Sequence, residues 1–307
     1  MQKLIVIVGP TAVGKTALSI ALAQAIGGEI VSGDSMQVYQ QLDIGTAKAT
    51  PAEQAAVPHH MLDLVAPTES YSVAQFVEQA RREIDAITQR GHVPILVGGT
   101  GFYVQALLGD RPLAMIDEEP DPAFEAKWDA EVVQNGEGKL REALQAVDPI
   151  SAARILPGQI RRLKRALLIS LQSGQPFSSL QPEPERLYDA KLIGLNTDRT
   201  VLYDRINQRV DDMVKTGLLE ETELVAQLPD TVTAKKAIGY KELFPYLDGQ
   251  VDLNTATEAL KQASRRYAKR QLTWFNNQMP DIEWHDLVQN PDEIDAVITE
   301  TQSFVSG

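Results

Sequence analysis

The chain has 307 residues, 43% of them apolar, with no cysteine and a formal net charge of −13. That length supports one large domain or two small ones with a real core, and the missing cysteine excludes disulfides, thiolate metal sites and a cysteine nucleophile. In bulk, 42 acidic against 29 basic residues argue against a polyanionic partner.

Distribution qualifies the total. Basic residues cluster in "RRLKR" (residues 161–165) and "RRYAKR" (residues 265–270), so local patches for nucleic acid remain open on an acidic protein. No run of 18 apolar residues occurs, which predicts no membrane-spanning helix and no membrane partner. The start, "MQKLIVIVGPTA", has an apolar run of only residues 4–8 before a glycine loop, so it reads as a buried first strand and not as a signal peptide. A cysteine-free chain fits a cytoplasmic protein.

"KLIVIV" is short, continuously apolar and β-branched, as a buried parallel strand should be. "TALSIALAQAI" has helical spacing and ends at Gly27 and Gly28. "EIVSGDS" is a second strand with Asp34 just past its end. "SVAQFVEQARREIDAITQRG" is a helix capped by Ser72 and stopped by Gly91. "VPILVGGTG" is a third strand and "AKLIGLNTD" a fourth. Strands alternating with helices predict an α/β fold, a parallel sheet with helices on both faces. Between residues 113 and 184 the pattern becomes helical, with acidic and proline-rich connections. This predicts a helical insertion domain between two parts of a core, residues 1–112 and 185–307.

Gly9, Pro10, Thr11, Ala12, Val13, Gly14, Lys15 and Thr16 match G-x-x-x-x-G-K-[ST] in full, between a strand and a helix. The glycines let backbone N–H groups curl around an anion, and the helix N-terminus adds partial positive charge. Lys15 brings a full charge, and the Thr16 hydroxyl suits Mg²⁺. Such a P-loop points first to nucleotide binding, with ATP or GTP hydrolysis or a kinase reaction. It would equally hold a pyrophosphate that is a leaving group.

Ligands of open parallel sheets collect at the carboxyl ends of the strands. Asp34 and Thr100 stand at two such ends and should face the Lys15 site; by spacing, Asp34 fits either a Mg²⁺ ligand or a general base. Lys48, in "QLDIGTAKAT", reads as a solvated surface lysine. His59 and His60 are adjacent and point apart, so they read as structural and not as a metal pair. "RRLKR" fits an amphipathic helix with a wet face, an RNA contact or a kinase lid. "SRRYAKRQLTWF" mixes cations with aromatics, which suits phosphate contacts and base stacking as well as core packing.

"GPTAVGKT", "SGDSMQVYQQLDIGTAKAT", "PHHMLDL", "YSVAQF", "ILVGGTGFYVQALL", "AIGYKEL" and "RRYAKRQLTWF" follow one another in that order. Together they resemble the bacterial tRNA dimethylallyltransferases, also called tRNA isopentenyltransferases, from residue 4 to about residue 275. The resemblance implies a P-loop NTPase-like core and transfer of a dimethylallyl group from dimethylallyl pyrophosphate. The acceptor would be N6 of the adenine immediately 3′ of the anticodon, in tRNAs reading codons that begin with U.

By resemblance, Asp34 is the base, and Thr100 lies near the pyrophosphate and the target adenine. Lys15, Arg209 and Mg²⁺ on Thr16 neutralise the leaving pyrophosphate. Ser35, Met36 and Gln37 contact the flipped base or its neighbours. Gln159, Ile160, Arg161, Arg162, Leu163 and Arg165 of the insertion hold the anticodon stem-loop, and Arg265, Arg266, Lys269 and Arg270 form a second tRNA contact face. The protein is expected to act as a monomer. Two departures stand out. A cysteine-free chain cannot carry the zinc finger of eukaryotic members, and "DPAFEAKWD" has Glu125 or Lys127 near where members often have a basic residue. The competing readings are an adenylate isopentenyltransferase acting on free nucleotide, a small-molecule P-loop kinase and a non-catalytic RNA-binding protein.

Overall fold

The computed structural model of the protein describes residues 1–111, 113, 121–180 and 182–307. The chain divides into two compact units, one of Met1–Arg111 with Arg186–Gly307, the other of Pro112–Glu185.

The larger unit runs β1 (Gln2–Val8), α1 (Lys15–Ile26), β2 (Gly28–Ser32), α2 (Pro51–Ala56), β3 (His59–His60), α3 (Val73–Gln89), β4 (Val93–Gly98) and α4 (Gly101–Leu108). After the second unit, with helices α5 (Pro122–Asn135), α6 (Gly138–Val147), α7 (Pro149–Arg154) and α8 (Ile160–Ser173), the order resumes. It continues with β5 (Tyr188–Leu195), α9 (Arg199–Lys215), α10 (Leu218–Ala226), α11 (Phe244–Leu247), α12 (Leu253–Gln278), β6 (Glu283–His285) and α13 (Ile294–Ser306).

The six strands form one parallel sheet in the order β3-β2-β4-β1-β5-β6. β1 occupies the interior, paired with β4 through Ile5–Ile95 and with β5 through Ile5–Lys191. Its residues Leu4 to Val8 are fully buried, which accounts for the unbroken apolar run. The chain leaves β1, forms α1, and returns as β2 two places away, with β4 filling the gap. A strand order that reverses in this way opens a crevice at the carboxyl ends of β1 and β4.

Local chemistry sets the helix ends. The Ser72 hydroxyl accepts from the Gln75 N–H at 3.2 Å, and the Gln75 side chain accepts from the Ser72 N–H at 2.8 Å, a reciprocal cap that starts α3. Gly27, at φ 65°, ends α1 in the left-handed conformation. Two strands have no clear signal in the sequence: β3 has two residues, and β6 lies in the tail beyond residue 275.

In the second unit, Trp128, Leu140, Leu144, Ala152, Leu163, Ala166 and Leu167 make a core. Among the described residues this unit contains no strand.

Candidate functional site

The loop after β1 curls because two glycines permit it. Gly9, at φ +144°, lies so close to β5 that a Cβ there would sit 2.3 Å from the Leu195 carbonyl oxygen. Gly14, at φ 95°, ends the loop at the start of α1. Ala12 takes φ 67° without being glycine, a strained turn held by the Arg205 Nε, which donates to the Ala12 carbonyl at 2.8 Å. Arg205 belongs to α9, as does Arg209, whose Nη1 donates to Thr11 Oγ1 at 3.3 Å. From α12, Gln271 accepts from the Thr11 N–H at 3.2 Å and donates to the Gly99 carbonyl at 3.0 Å. One buried amide thus joins the P-loop to the glycines after β4.

These elements enclose a cavity of about 1330 Å³. Thr11, Ala12, Gly14, Lys15 and Thr16 line one side, and Asp34, Ser35, Met36 and Gln37 another. Arg209 stands in the same wall, and Leu260, Ser264, Tyr267 and Gln271 face in from α12 at helical spacing. The cavity therefore gathers Lys15, Thr16, Asp34 and Arg209, which are far apart in the chain. Val13 instead joins the core beneath the loop.

The charges perturb one another. Burial and the neighbouring Arg209 guanidinium lower the Lys15 ammonium to about 7, against the opposing pull of Asp34. Lys15 Nζ meanwhile donates to the Gly9 and Pro10 carbonyls at 3.0 and 2.6 Å. Burial pushes the Asp34 carboxyl up, although the Met36 N–H, at 2.8 Å from Oδ1, and the nearby Lys15 favour its ionised form. Burial also lowers Arg209 from its ordinary value. Across the whole cavity wall Lys15, Lys48, Arg205 and Arg209 face Asp34, Asp43, Glu53, Asp63 and Asp212, but Lys15 and Arg209 are close enough to perturb each other beside the loop amides, and that local cationic cluster suits a polyanion.

Thr16 offers a hard oxygen in this cavity. Among the described residues no group of three or more His, Asp or Glu side chains could hold a metal ion. A divalent metal with few protein ligands, completed by substrate phosphates and water, is the manner in which Mg²⁺ binds, and the residues present fit it.

Not every expected residue reaches the cavity. Thr100 opens α4, and its Oγ1 is buried without a hydrogen-bond partner among the described residues; the cavity is lined there by Gly98 and Gly99. Gln37 does line the cavity but is already engaged, accepting from Ser32 Oγ at 2.8 Å and donating to the Thr46 and Ala47 carbonyls, each at 3.2 Å. On α12, Arg266, Lys269 and Arg270 are exposed, while Arg265 donates to Asn207 Oδ1 at 2.5 Å.

In the second unit, Arg161, Arg162 and Arg165 are exposed along α8, and Gln159 and Ile160 are half-buried. Leu163, expected among the RNA contacts, has its side chain wholly buried in the unit's core, because the helix that exposes its neighbours must turn this position inward. Lys164 is also withdrawn, paired with Glu125 and with Asp129 Oδ1, the latter at 2.7 Å.

Lys48 is a correction. Instead of a solvated surface lysine it is 7% exposed, with Nζ at 2.9 Å from the Tyr39 carbonyl and at 2.5 and 2.6 Å from the Asp43 and Asp63 carboxylates. An isolated lysine in a glycine-rich stretch does not show that two carboxylates will meet it. Arg205 joins the site without a motif that marks it in the sequence, and Tyr267 and Gln271, though they lie in the block "RRYAKRQLTWF", do so without a sign there that they face the P-loop cavity. The spacing of Ser264, Tyr267 and Gln271, three and then four residues, is the signal that they share a helix face.

A P-loop sequence following the first strand of a parallel sheet, with a buried carboxylate and a second cation in the wall of the same cavity, places the protein in the P-loop-like α/β class. The chain belongs to the IPP transferase family, whose model matches residues 37–278. The related Isopentenyl transferase model matches residues 2–65. The tRNA dimethylallyltransferase of Geobacillus thermodenitrificans is 50% identical over 310 aligned positions, covering 100% of this chain and 97% of that protein. That of Levilactobacillus brevis is 52% identical over 299 positions, covering 97% and 96%.

Among solved structures, the full-length tRNA isopentenylpyrophosphate transferase from Bacillus halodurans superposes with a TM-score of 0.71 at 44% identity, covering 100% of this chain and 96% of that one. A eukaryotic dimethylallyltransferase acting on tRNA superposes with a TM-score of 0.85 at 29% identity, covering 100% and 80%.

Proposed function

We propose that this protein is a tRNA dimethylallyltransferase. It transfers the dimethylallyl group of dimethylallyl pyrophosphate to N6 of the adenine immediately 3′ of the anticodon, in tRNAs reading codons that begin with U. The products are N6-isopentenyladenosine and pyrophosphate. The observation that carries this reading is the meeting of Lys15, Arg209 and Asp34 in one cavity, in a chain half identical to enzymes of that name along its whole length.

The chemistry follows from the residues. The exocyclic N6 is a weak nucleophile, because its lone pair is delocalised into the ring. As the bond from N6 to the prenyl carbon forms, the bond from that carbon to the pyrophosphate oxygen breaks, and N6 must lose a proton. Asp34 accepts that proton. Burial raises its basicity, and a positioned base contributes roughly 10²–10⁴-fold. Negative charge collects on the departing pyrophosphate, where Lys15, Arg209 and the loop N–H groups oppose it. The donor's oxygens replace the Gly9 and Pro10 carbonyls as partners of Lys15. Thr16 would hold Mg²⁺, which when bound would supply further neutralisation of the pyrophosphate.

The adenine leaves its stack to enter the cavity. Ser35 and Met36 line the wall beside Asp34 and contact it. Gln37 acts through the wall that it braces, and Thr100 lies near the pyrophosphate and the target adenine, as the family pattern implies. Arg161, Arg162 and Arg165 of the second unit, and Arg266, Lys269 and Arg270 of α12, bind tRNA phosphates, which makes affinity salt-dependent despite the acidic total.

The test offers labelled dimethylallyl pyrophosphate and Mg²⁺ with unmodified tRNA or with AMP. Label at the adenine 3′ of the anticodon, and none in AMP, is the expected result. Label in AMP would instead make the protein an adenylate isopentenyltransferase. Turnover of ATP with no prenyl transfer would make it a kinase.

A further inference from the structure

Glu221 of α10 is 7% exposed and belongs to no part of the chemistry described above. Its carboxylate receives three successive backbone N–H groups. Oε2 accepts from Asp43 at 2.8 Å and from Ile44 at 2.9 Å, and Oε1 accepts from Gly45 at 2.8 Å. The fully buried Tyr240 adds its hydroxyl, donating to Oε1 at 2.7 Å. Consecutive amides converging on one anion form a nest, a concavity of partial positive charge of the kind that elsewhere receives phosphate. Here the chain fills the nest with its own carboxylate. The packing around it leaves little slack: a Cβ on Gly45 would lie 2.6 Å from the Tyr240 ring.

The other side of the same segment forms part of the cavity wall, from Asp43 to Thr50. Thr46 and Ala47 offer their carbonyls to Gln37 Nε2, and Gln37 Oε1 accepts from Ser32 Oγ. Ser32 Oγ in turn accepts from the Asp34 N–H at 3.4 Å. Ala47 holds φ 52°, a conformation a non-glycine residue keeps only when its surroundings impose it. An unbroken set of contacts therefore runs from Glu221 through residues 43–47 and Gln37 to the turn that carries Asp34. The P-loop is braced separately, by Gln271, Arg205 and Arg209.

We infer that Glu221 is a positioning residue whose carboxylate seats segment 43–47 and thereby fixes the acceptor-side wall of the cavity beside Asp34. Its activity readouts rest on the transferase reading above; its structural readout does not. Three donor-only N–H groups and one hydroxyl converge on its two oxygens, so a group that accepts at both positions satisfies the site. A glutamine amide would turn an N–H₂ toward N–H groups.

The test compares full-length wild type with Glu221→Gln, Glu221→Ala and Tyr240→Phe. Initial rates are measured with tRNA varied at saturating dimethylallyl pyrophosphate, and the reverse. Amide hydrogen exchange is followed at residues 43–47 and 9–16, and Glu221→Ala is also assayed in acetate, which matches the atoms removed. For Glu221→Gln the expected result is a fall of about 10- to 100-fold in kcat/KM for tRNA, the scale of losing a set of charged hydrogen bonds. The KM for the donor stays within about twofold, as befits a change confined to one side of the site. Exchange quickens at 43–47 and not at 9–16, and acetate restores part of the activity missing in Glu221→Ala.

Tyr240→Phe removes one donor of four and shows the same pattern more weakly, which keeps the inference testable should the Glu221 variants fold poorly. Unchanged protection at 43–47, an equal loss on both substrates, or no effect of acetate would overturn it. A wild type that exchanges as described but does not prenylate tRNA would refute the transferase reading alone.

Discussion

Replacing Asp34 with asparagine removes one charge while nearly preserving shape. Asp34 Oδ1 accepts from the Met36 N–H at 2.8 Å, and an asparagine oxygen keeps that bond, so the turn after β2 survives. What is lost is the acceptor for the N6 proton. The expected fall in the single-turnover rate is roughly 10²–10⁴-fold, equivalent to about 3–5 kcal/mol on the barrier. Binding moves differently. The carboxylate opposes the anion-binding cluster of Lys15 and Arg209, so the donor should bind no more weakly to the variant, and tRNA binding should hold.

The pH dependence carries a second signature. Burial holds Asp34 above its ordinary value of 3.8, so the wild-type rate climbs with pH as the carboxyl deprotonates, while the variant lacks that limb. The assay is transfer of labelled dimethylallyl group into tRNA with enzyme in excess, beside filter binding of tRNA. A variant within tenfold of wild type, or one that loses tRNA binding along with activity, would refute the role given to Asp34.

Other expectations follow from the same geometry. Lys15, lowered to about 7, loses its charge as pH rises through that value in the free enzyme; competitive amine labelling should give a midpoint near 7, and one near 10 would contradict it. Burial pushes Glu29 up, but hydrogen bonds from Arg90, His60 and His92 outweigh this and hold it at about 2. The stability it contributes is therefore present above its unfolded value of 4.5 and lost as pH falls toward 2. Glu29→Gln should cost about 3 kcal/mol at pH 7, and denaturant melts should show that gap shrinking by pH 3; a constant gap would refute the linkage. A Cβ on Gly99 would fall 2.1 Å from Gln271 Nε2. Gly99→Ala should thus break the amide that joins the two loops, lowering stability by about 1–3 kcal/mol and weakening pyrophosphate binding in calorimetry. Alanine at Arg161, Arg162 and Arg165 together should flatten the salt dependence of tRNA binding, by about one in log–log slope for each phosphate no longer neutralised. An unchanged slope would remove α8 from the tRNA surface.

The sequence by itself determined the elements whose signals are local. The apolar run of β1, the glycine spacing of the P-loop and the Ser72 cap each need only neighbouring residues, and each forms where those residues say. The family was legible too, since its blocks stand in order along the chain. Tertiary structure alone decided which distant groups meet. Lys48 reads as a surface residue until Asp43 and Asp63 are folded against it. Leu163 sits among arginines in sequence, yet turns inward because one face of α8 must be buried. Glu221 and Tyr240 have no motif of their own, and their carboxylate and hydroxyl acquire a purpose only where the backbone of residues 43–45 converges on them. Periodicity and turn chemistry act over a few residues, whereas burial and charge pairing act between elements that only the sheet order brings together.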